Sequence, residues 1–200
     1  MYEATADSYS EMMDKEIDLP IYADLLGRLQ EDIANTPGAL LDTACGSGHM
    51  LAMFRSRYDL RRSLIGIDLS PRMVAITNKR LSKDDLVMVG DMRSLPRIDS
   101  GSIAAVINFF ALHHLDVEGI RASMFEWLRV LVPGGRLLVA AWEGSGTIDY
   151  GEESDIIALR YTSHELSKIA KTAGFLVTRS VVEPVDDFPM DAVYLECIKE

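Results

Sequence analysis

At 200 residues with 48% apolar content, the chain is long enough to bury one full core and needs no second domain. A formal charge of −11 argues against a phosphate backbone as partner, because nucleic-acid binding draws on clustered Lys and Arg; it favours a small-molecule substrate and no nucleic acid. Cys45 and Cys197 sit in unrelated contexts, no apolar stretch nears membrane-spanning length, and the acidic N-terminus lacks a basic region followed by an apolar run. These features point to a soluble, cytoplasmic protein with no disulfide framework and no membrane partner. The sequence is silent on oligomeric state.

Residues 1–18 are polar with interspersed Tyr and Met, and read either as a short helix or as a lid. A helix is signalled from Asp18 as N-cap and Pro20 as first residue, with Ile21, Leu25, Leu29 and Ile33 on one face and Pro37-Gly38 beyond its end. The stretch from Leu40 to His49 follows, an apolar strand end that passes through Asp42 into the turn Gly46-Ser47-Gly48 and then a helix carrying Met50, Leu51 and Phe54 inward. Glycines in such a turn let a ligand rest against main chain at a helix start, which reads as a nucleotide-type pocket at the carboxyl end of a first parallel strand. Asp42 selects among nucleotides: a carboxylate there suits a cationic or amino-bearing ligand and repels a pyrophosphate. The basic run Arg55 to Arg62 lies away from that edge and reads as a solvated helix end and loop.

A second strand, Ser63 to Asp68, ends in a carboxylate able to accept both ribose hydroxyls of a nucleoside. Ser70 with Pro71 supplies the N-cap of the next helix, which leaves Asp68 free for that role. Leu86 to Val89 is a third strand ending in Gly90-Asp91-Met92, and Ser102 to Phe109 is an apolar central strand buried on both faces. Beyond it, His113 or His114 is placed to act as a general base, or else caps the following helix or fills a polar gap. No Cys or carboxylate at ligand spacing accompanies them, so no metal is expected. Asp116 caps a helix through Ile120, Met124, Phe125, Trp127, Leu128 and Leu131, which Pro133-Gly134-Gly135 stops before strand five, Arg136 to Trp142. Glu143 to Arg160 is irregular, either a small substrate cap or a surface loop with one short helix. A capping box, Thr162 to Glu165, opens a helix that closes at Gly174. Two tail strands, Phe175 to Val182 and Ala192 to Ile198, are joined by a link too short for a parallel crossover, so the last runs antiparallel.

The pattern Asp42-x-Ala44-x-Gly46-x-Gly48 resembles the first motif of class I (Rossmann-like) S-adenosylmethionine (SAM)-dependent methyltransferases, with alanine at the first glycine. The string Ala111-Leu112-His113-His114-Leu115 is shared with the small-molecule and quinone-biosynthesis subgroup, and Leu131 to Val139 resembles that family's helix-to-strand-five junction. The resemblance implies a doubly wound α/β domain spanning the chain, with six parallel strands and one antiparallel strand and helices on both faces. A lid over 1–18 and a cap over 143–160 complete it. It implies SAM as cofactor and S-adenosylhomocysteine as product, held by Asp42, Ala44, Cys45, Gly46, Gly48, His49, Asp68, Leu69, Asp91, Met92, Asn108 and Phe109. In the family, an acid at Asp91 accepts from the adenine amino group beside Met92. Asn108 offers its backbone carbonyl to the methionine amino group, Phe110 shapes the acceptor pocket, and Tyr9 closes over donor and substrate. The implied reaction is methyl transfer to an O, N or C nucleophile of a small molecule. The alternatives are a SAM-binding module without transferase activity and an NAD-dependent oxidoreductase.

Overall fold

The computed structural model describes residues 2–148, 158–185 and 190–200, with side chains from residue 6 onward. Four apolar runs become parallel strands, β1 (Ala39–Asp42), β2 (Leu64–Asp68), β3 (Leu86–Val89) and β4 (Ile103–Phe109). They are followed by β5 (Leu131–Trp142), β8 (Phe175–Pro184) and β9 (Asp191–Lys199); a separate pair, β6 (Thr147–Ile148) and β7 (Ala158–Leu159), stands outside the main sheet. The seven strands run in the order β3-β2-β1-β4-β5-β9-β8. Only β9 is antiparallel, pairing that way with both β5 and β8. This is the expected six-plus-one sheet. Its order reverses between β1 and β4, where Asp42 sits in register with Gly66 on one side and Ile107 on the other. A crevice opens at the carboxyl ends of strands at such a reversal.

Helices cover both faces. Adjacent residues of β4 face opposite layers, as the period of two requires. Val106 packs with α5 (Val117–Val130) and α6 (Ser163–Ala173), while Ala105 and Ile107 pack with α2 (Pro20–Ile33) and α3 (His49–Arg57). Trp127 of α5 is fully buried in the first layer, and Phe54 of α3 in the second. On the second side α4 (Pro71–Arg80) lies beside α3, and α1 (Tyr2–Glu16) runs along α4.

Local chemistry sets several ends where the sequence places them. Ser70 accepts from Met73 N with Pro71 behind it, Asp116 accepts from Gly119 N, and the Thr162–Glu165 capping box is complete. Other expectations are corrected. Pro20 is the first residue of α2, so the cap falls on Leu19; Asp18 instead pairs with Arg57 at 2.5 Å. Tyr22 and Leu26, more than Ile21, fill the inner face of α2. Phe125 is 55% exposed, because it lies a hundred-degree step round α5 from buried Met124. Strand β5 starts at Leu131 rather than Arg136. The basic run is also less solvated than its charge implies: Arg62 is inserted under the end of α2 and donates to the carbonyls of Ile33, Thr36 and Gly38. Ile33 is the last residue of α2, and Thr36 and Gly38 belong to the link into β1, so one guanidinium ties the helix end to the strand start. Of the expected cap, residues 149–157 lie outside the described residues, and the flanks form the β6-β7 pair rather than a helix. No helix among the described residues is long and apolar enough to cross a membrane.

Candidate active site

The carboxyl ends of β1, β2 and β4 converge on the glycine turn. Gly46 and Gly48 take φ of +51° and +83°, and Ala44 does not adopt a positive φ, so the alanine meets no backbone obstacle there. Gly48 is tightly enclosed: a Cβ would lie 2.7 Å from Thr77 Cγ2, while Thr77 Oγ1 donates to the Gly46 carbonyl at 2.7 Å. Gly48→Ala is therefore expected to lower stability by about 2–4 kcal/mol in urea unfolding, summing left-handed strain and a contact on a stiff β-branched neighbour. Thr77 escaped sequence reading; on the inner face of α4 beside Met73 and Val74 it has the spacing of a core residue.

Asp42 is 2% exposed, and among the described residues no Lys, Arg or His pairs with it. Among the described residues its one hydrogen bond is from Ala44 N, at 3.2 Å. Burial, reinforced by the nearby Asp68 charge, pushes its carboxyl up to about 7. A buried carboxylate with spare acceptor capacity and no cation fits an ammonium ligand. Asp68 accepts from Gly46 N at 2.8 Å and Ser70 N at 2.9 Å, one to each oxygen, and burial holds its carboxyl above the ordinary value. Each oxygen keeps a second lone pair, so the two backbone donors aim the group for a pair of hydroxyls.

The remaining residues divide. Asn108 is fully buried; its Nδ2 donates to Thr43 Oγ1 at 3.0 Å and lies 3.5 Å from Met92 Sδ, while its Oδ1 has no partner among the described residues. Cys45 is packed under the turn 4.0 Å from Thr77 Oγ1, where burial raises its thiol, and Leu69 is 64% exposed. The Asp91 carboxylate binds the Arg93 guanidinium and accepts from Arg93 N at 2.9 Å, and the guanidinium holds its pKa down. Asp91 thus accepts across its own turn, from a residue two places on. His49 does not present a free ring edge: Nδ1 meets Ser47 Oγ at 2.8 Å and Nε2 meets Asp14 Oδ1 at 2.7 Å. Tyr9 crosses the turn, with Cε1 3.3 Å from where a Gly46 Cβ would sit.

Past β4 the backbone is strained. Phe110, at φ +49°, is the non-glycine residue in left-handed conformation among the described residues, a placement that points to function. It is pinned by its N–H to the Ala140 carbonyl at 2.8 Å and by its ring, 4.6 Å from Trp142; Phe109 stacks edge-on to Tyr22 at 5.9 Å. His113 is 6% exposed, its ring 3.8 Å from that of His114, and its Nδ1 lacks a partner among the described residues. Burial and the neighbouring His114 drop its pKa to about 3. His113 is neutral throughout the physiological range and far too weak a base to deprotonate a hydroxyl. Desolvation disfavours the imidazolium, which favours a neutral hydrogen-bonding ring over the general-base reading.

Residues 40–135 match the model of a methyltransferase domain family. The chain is 30% identical over 159 residues to a probable tRNA methyltransferase 9B of Bos taurus, covering 78% of this chain and 31% of that protein. It is 35% identical over 104 residues to a tRNA (carboxymethyluridine(34)-5-O)-methyltransferase of Arabidopsis thaliana, covering 52% and 24%. Among solved structures it superposes on a putative methyltransferase in complex with the Haloferax volcanii Trm112 methyltransferase activator, with TM-score 0.74, 20% identity and coverage of 98% and 95%. Residues 40–135 thus carry a methyltransferase domain, set in the fold of class I SAM-dependent methyltransferases. It spans about a third of the length of the first curated relatives it matches.

These relatives overturn one expectation. A partner list of small molecules with nucleic acid excluded does not survive similarity to proteins named for acting on tRNA. Net charge sums the whole surface, whereas an acceptor meets the local field at one edge of the sheet.

Proposed function

We propose that this domain methylates a carboxylate oxygen on a modified tRNA nucleoside, with SAM as donor. His113 carries the proposal. A carboxylate is already the deprotonated nucleophile at neutral pH, so it needs no base, and a buried imidazole held at about 3 cannot supply one. A neutral imidazole can instead donate an N–H to one oxygen of the acceptor and leave the other to attack. The name of the Arabidopsis relative, which specifies a carboxymethyluridine of tRNA, supports the same acceptor class. Asp42, with its unmatched buried charge, would hold the ammonium of the donor, and Asp68 its ribose. SAM brings an electrophilic methyl on a positively charged sulfur. The chain's share is then alignment and exclusion of water, with Phe110 and Trp142 walling the transfer zone.

The test uses SAM labelled in its methyl group, with total tRNA containing carboxymethylated uridine as acceptor. The expected product is a methyl ester, so mild alkali releases the label as methanol. Label that survives alkali on the RNA would overturn the carboxylate assignment, and label appearing only in a metabolite extract would overturn the RNA one.

A further inference from the structure

Helix α1 is fastened to the cofactor turn by a closed ring of hydrogen bonds that the site itself does not require. Asp14 Oδ1 meets both His49 Nε2 at 2.7 Å and Arg80 Nη2 at 3.1 Å. His49 Nδ1 meets Ser47 Oγ at 2.8 Å, and Arg80 Nε donates to the Ser47 carbonyl at 2.9 Å, which returns the ring to its start. Three separate elements take part: α1 contributes Asp14, the turn with the first residue of α3 contributes Ser47 and His49, and α4 contributes Arg80. Ser10, one helical turn before Asp14, adds a contact to Arg80 Nη2 at 3.2 Å. Tyr9, on the same helix, lies against Gly46. Ser47 is 1% exposed, so the Ser-His-Asp order here is not a nucleophile awaiting substrate.

We propose that this ring is a latch, with Arg80 and Asp14 as positioning residues that couple closure of α1 to the shape of the cofactor turn. Arg80 grips the turn through main chain at Ser47 and the lid through a carboxylate, so the lid can be seated by Arg80 only when the turn is in its binding conformation. Closure lays Tyr9 across Gly46 and slows exchange of the nucleoside beneath; opening the ring frees it. The coupling rests on the cofactor reading given above. Asp7 pairs with Arg72 at the other end of the two helices, at 2.7 Å, a second tie between α1 and α4 that the latch residues do not share.

Asp14→Asn, Arg80→Met and the double variant are compared with wild type and with Arg121→Met, which breaks an exposed pair on α5. S-adenosylhomocysteine dissociation is followed by stopped flow and amide exchange by mass spectrometry, in proteins shown to be folded by circular dichroism. Each single variant is expected to speed dissociation about tenfold, the double variant no more than twofold beyond the worse single, and Arg80→Lys to recover part of the loss. Exchange over residues 6–16 is expected to quicken in the same variants while the β4 core and Arg121→Met stay at wild-type rates. Dissociation within twofold of wild type in both singles, or losses that multiply in the double, would overturn the latch. Failure of the wild type to bind S-adenosylhomocysteine would instead defeat the cofactor reading. The latch would then stand or fall on whether exchange at residues 6–16 quickens in both singles.

Discussion

Asp42→Asn is expected to stabilise the ligand-free protein above pH 7 while weakening S-adenosylhomocysteine at least about thirtyfold, the loss of about 2 kcal/mol or more that follows when a desolvated charge pair is broken. The two effects have one origin. Asp42 titrates near 7 in the folded protein against an ordinary value of 3.8, so the native state binds a proton that the unfolded chain has released. The folded pKa is the higher one, so its contribution to stability is complete below about pH 4 and is lost as pH rises through 7. Three pH units correspond to at most about 4 kcal/mol, and about 1–3 kcal/mol is the expected gain once the fold relaxes around the charge. Asparagine keeps an acceptor for Ala44 N without the charge. Chemical denaturation from pH 4 to 8 should show wild-type stability falling relative to the variant. Parallel curves would remove Asp42 as the source, and wild-type affinity in the variant would remove it as the ammonium site.

Asp68→Ala should do damage of the opposite kind, with both quantities falling. Its oxygens satisfy the N–H groups of Gly46 and Ser70 in a largely buried setting, and alanine leaves both donors bare. At about 1–3 kcal/mol for each stranded group the stability cost is about 2–6 kcal/mol. Cofactor affinity should drop at least about a hundredfold, because the turn loses its anchor together with the acceptor for the sugar. Asp68→Asn retains one acceptor oxygen and is expected to fall between the two. Calorimetric titration with S-adenosylhomocysteine beside thermal unfolding separates the effects. An alanine variant that melts early yet binds normally would leave Asp68 a structural role alone.

Much of this architecture was legible because a buried parallel strand has to be written as an unbroken apolar run. β4 and the acid-tipped β1 and β2 are of that kind, and the linker before β9 is too short for any topology but reversal. Local caps were legible for the same reason, since Ser70, Asp116 and Thr162 act on neighbours three residues away. What failed to show was contact across the fold. Nothing local distinguishes Arg62 as a plug under α2 or Arg80 as the link to α1, because their partners lie 24 to 70 residues away. Within the site, Asp42, Gly46, Gly48 and Asp68 come together as their spacing implied. His49 is spent on Ser47 and Asp14, and the Asp91 carboxylate is engaged by Arg93. The exclusion of nucleic acid failed because total charge is a property of the whole envelope.

The position of β9 bears on how the molecule assembles. β8 is made before β9 but has no place in the sheet without it, since among the described residues its only strand neighbour is β9 and the order at that end is β5-β9-β8. A nascent chain can thus pair β1 to β5 while β8 still lacks its strand neighbour. Only when β9 slides between them does that edge close. The outermost strand is consequently gated by the residues synthesised after it, and the interval between the two is when this fold is most open to mispairing.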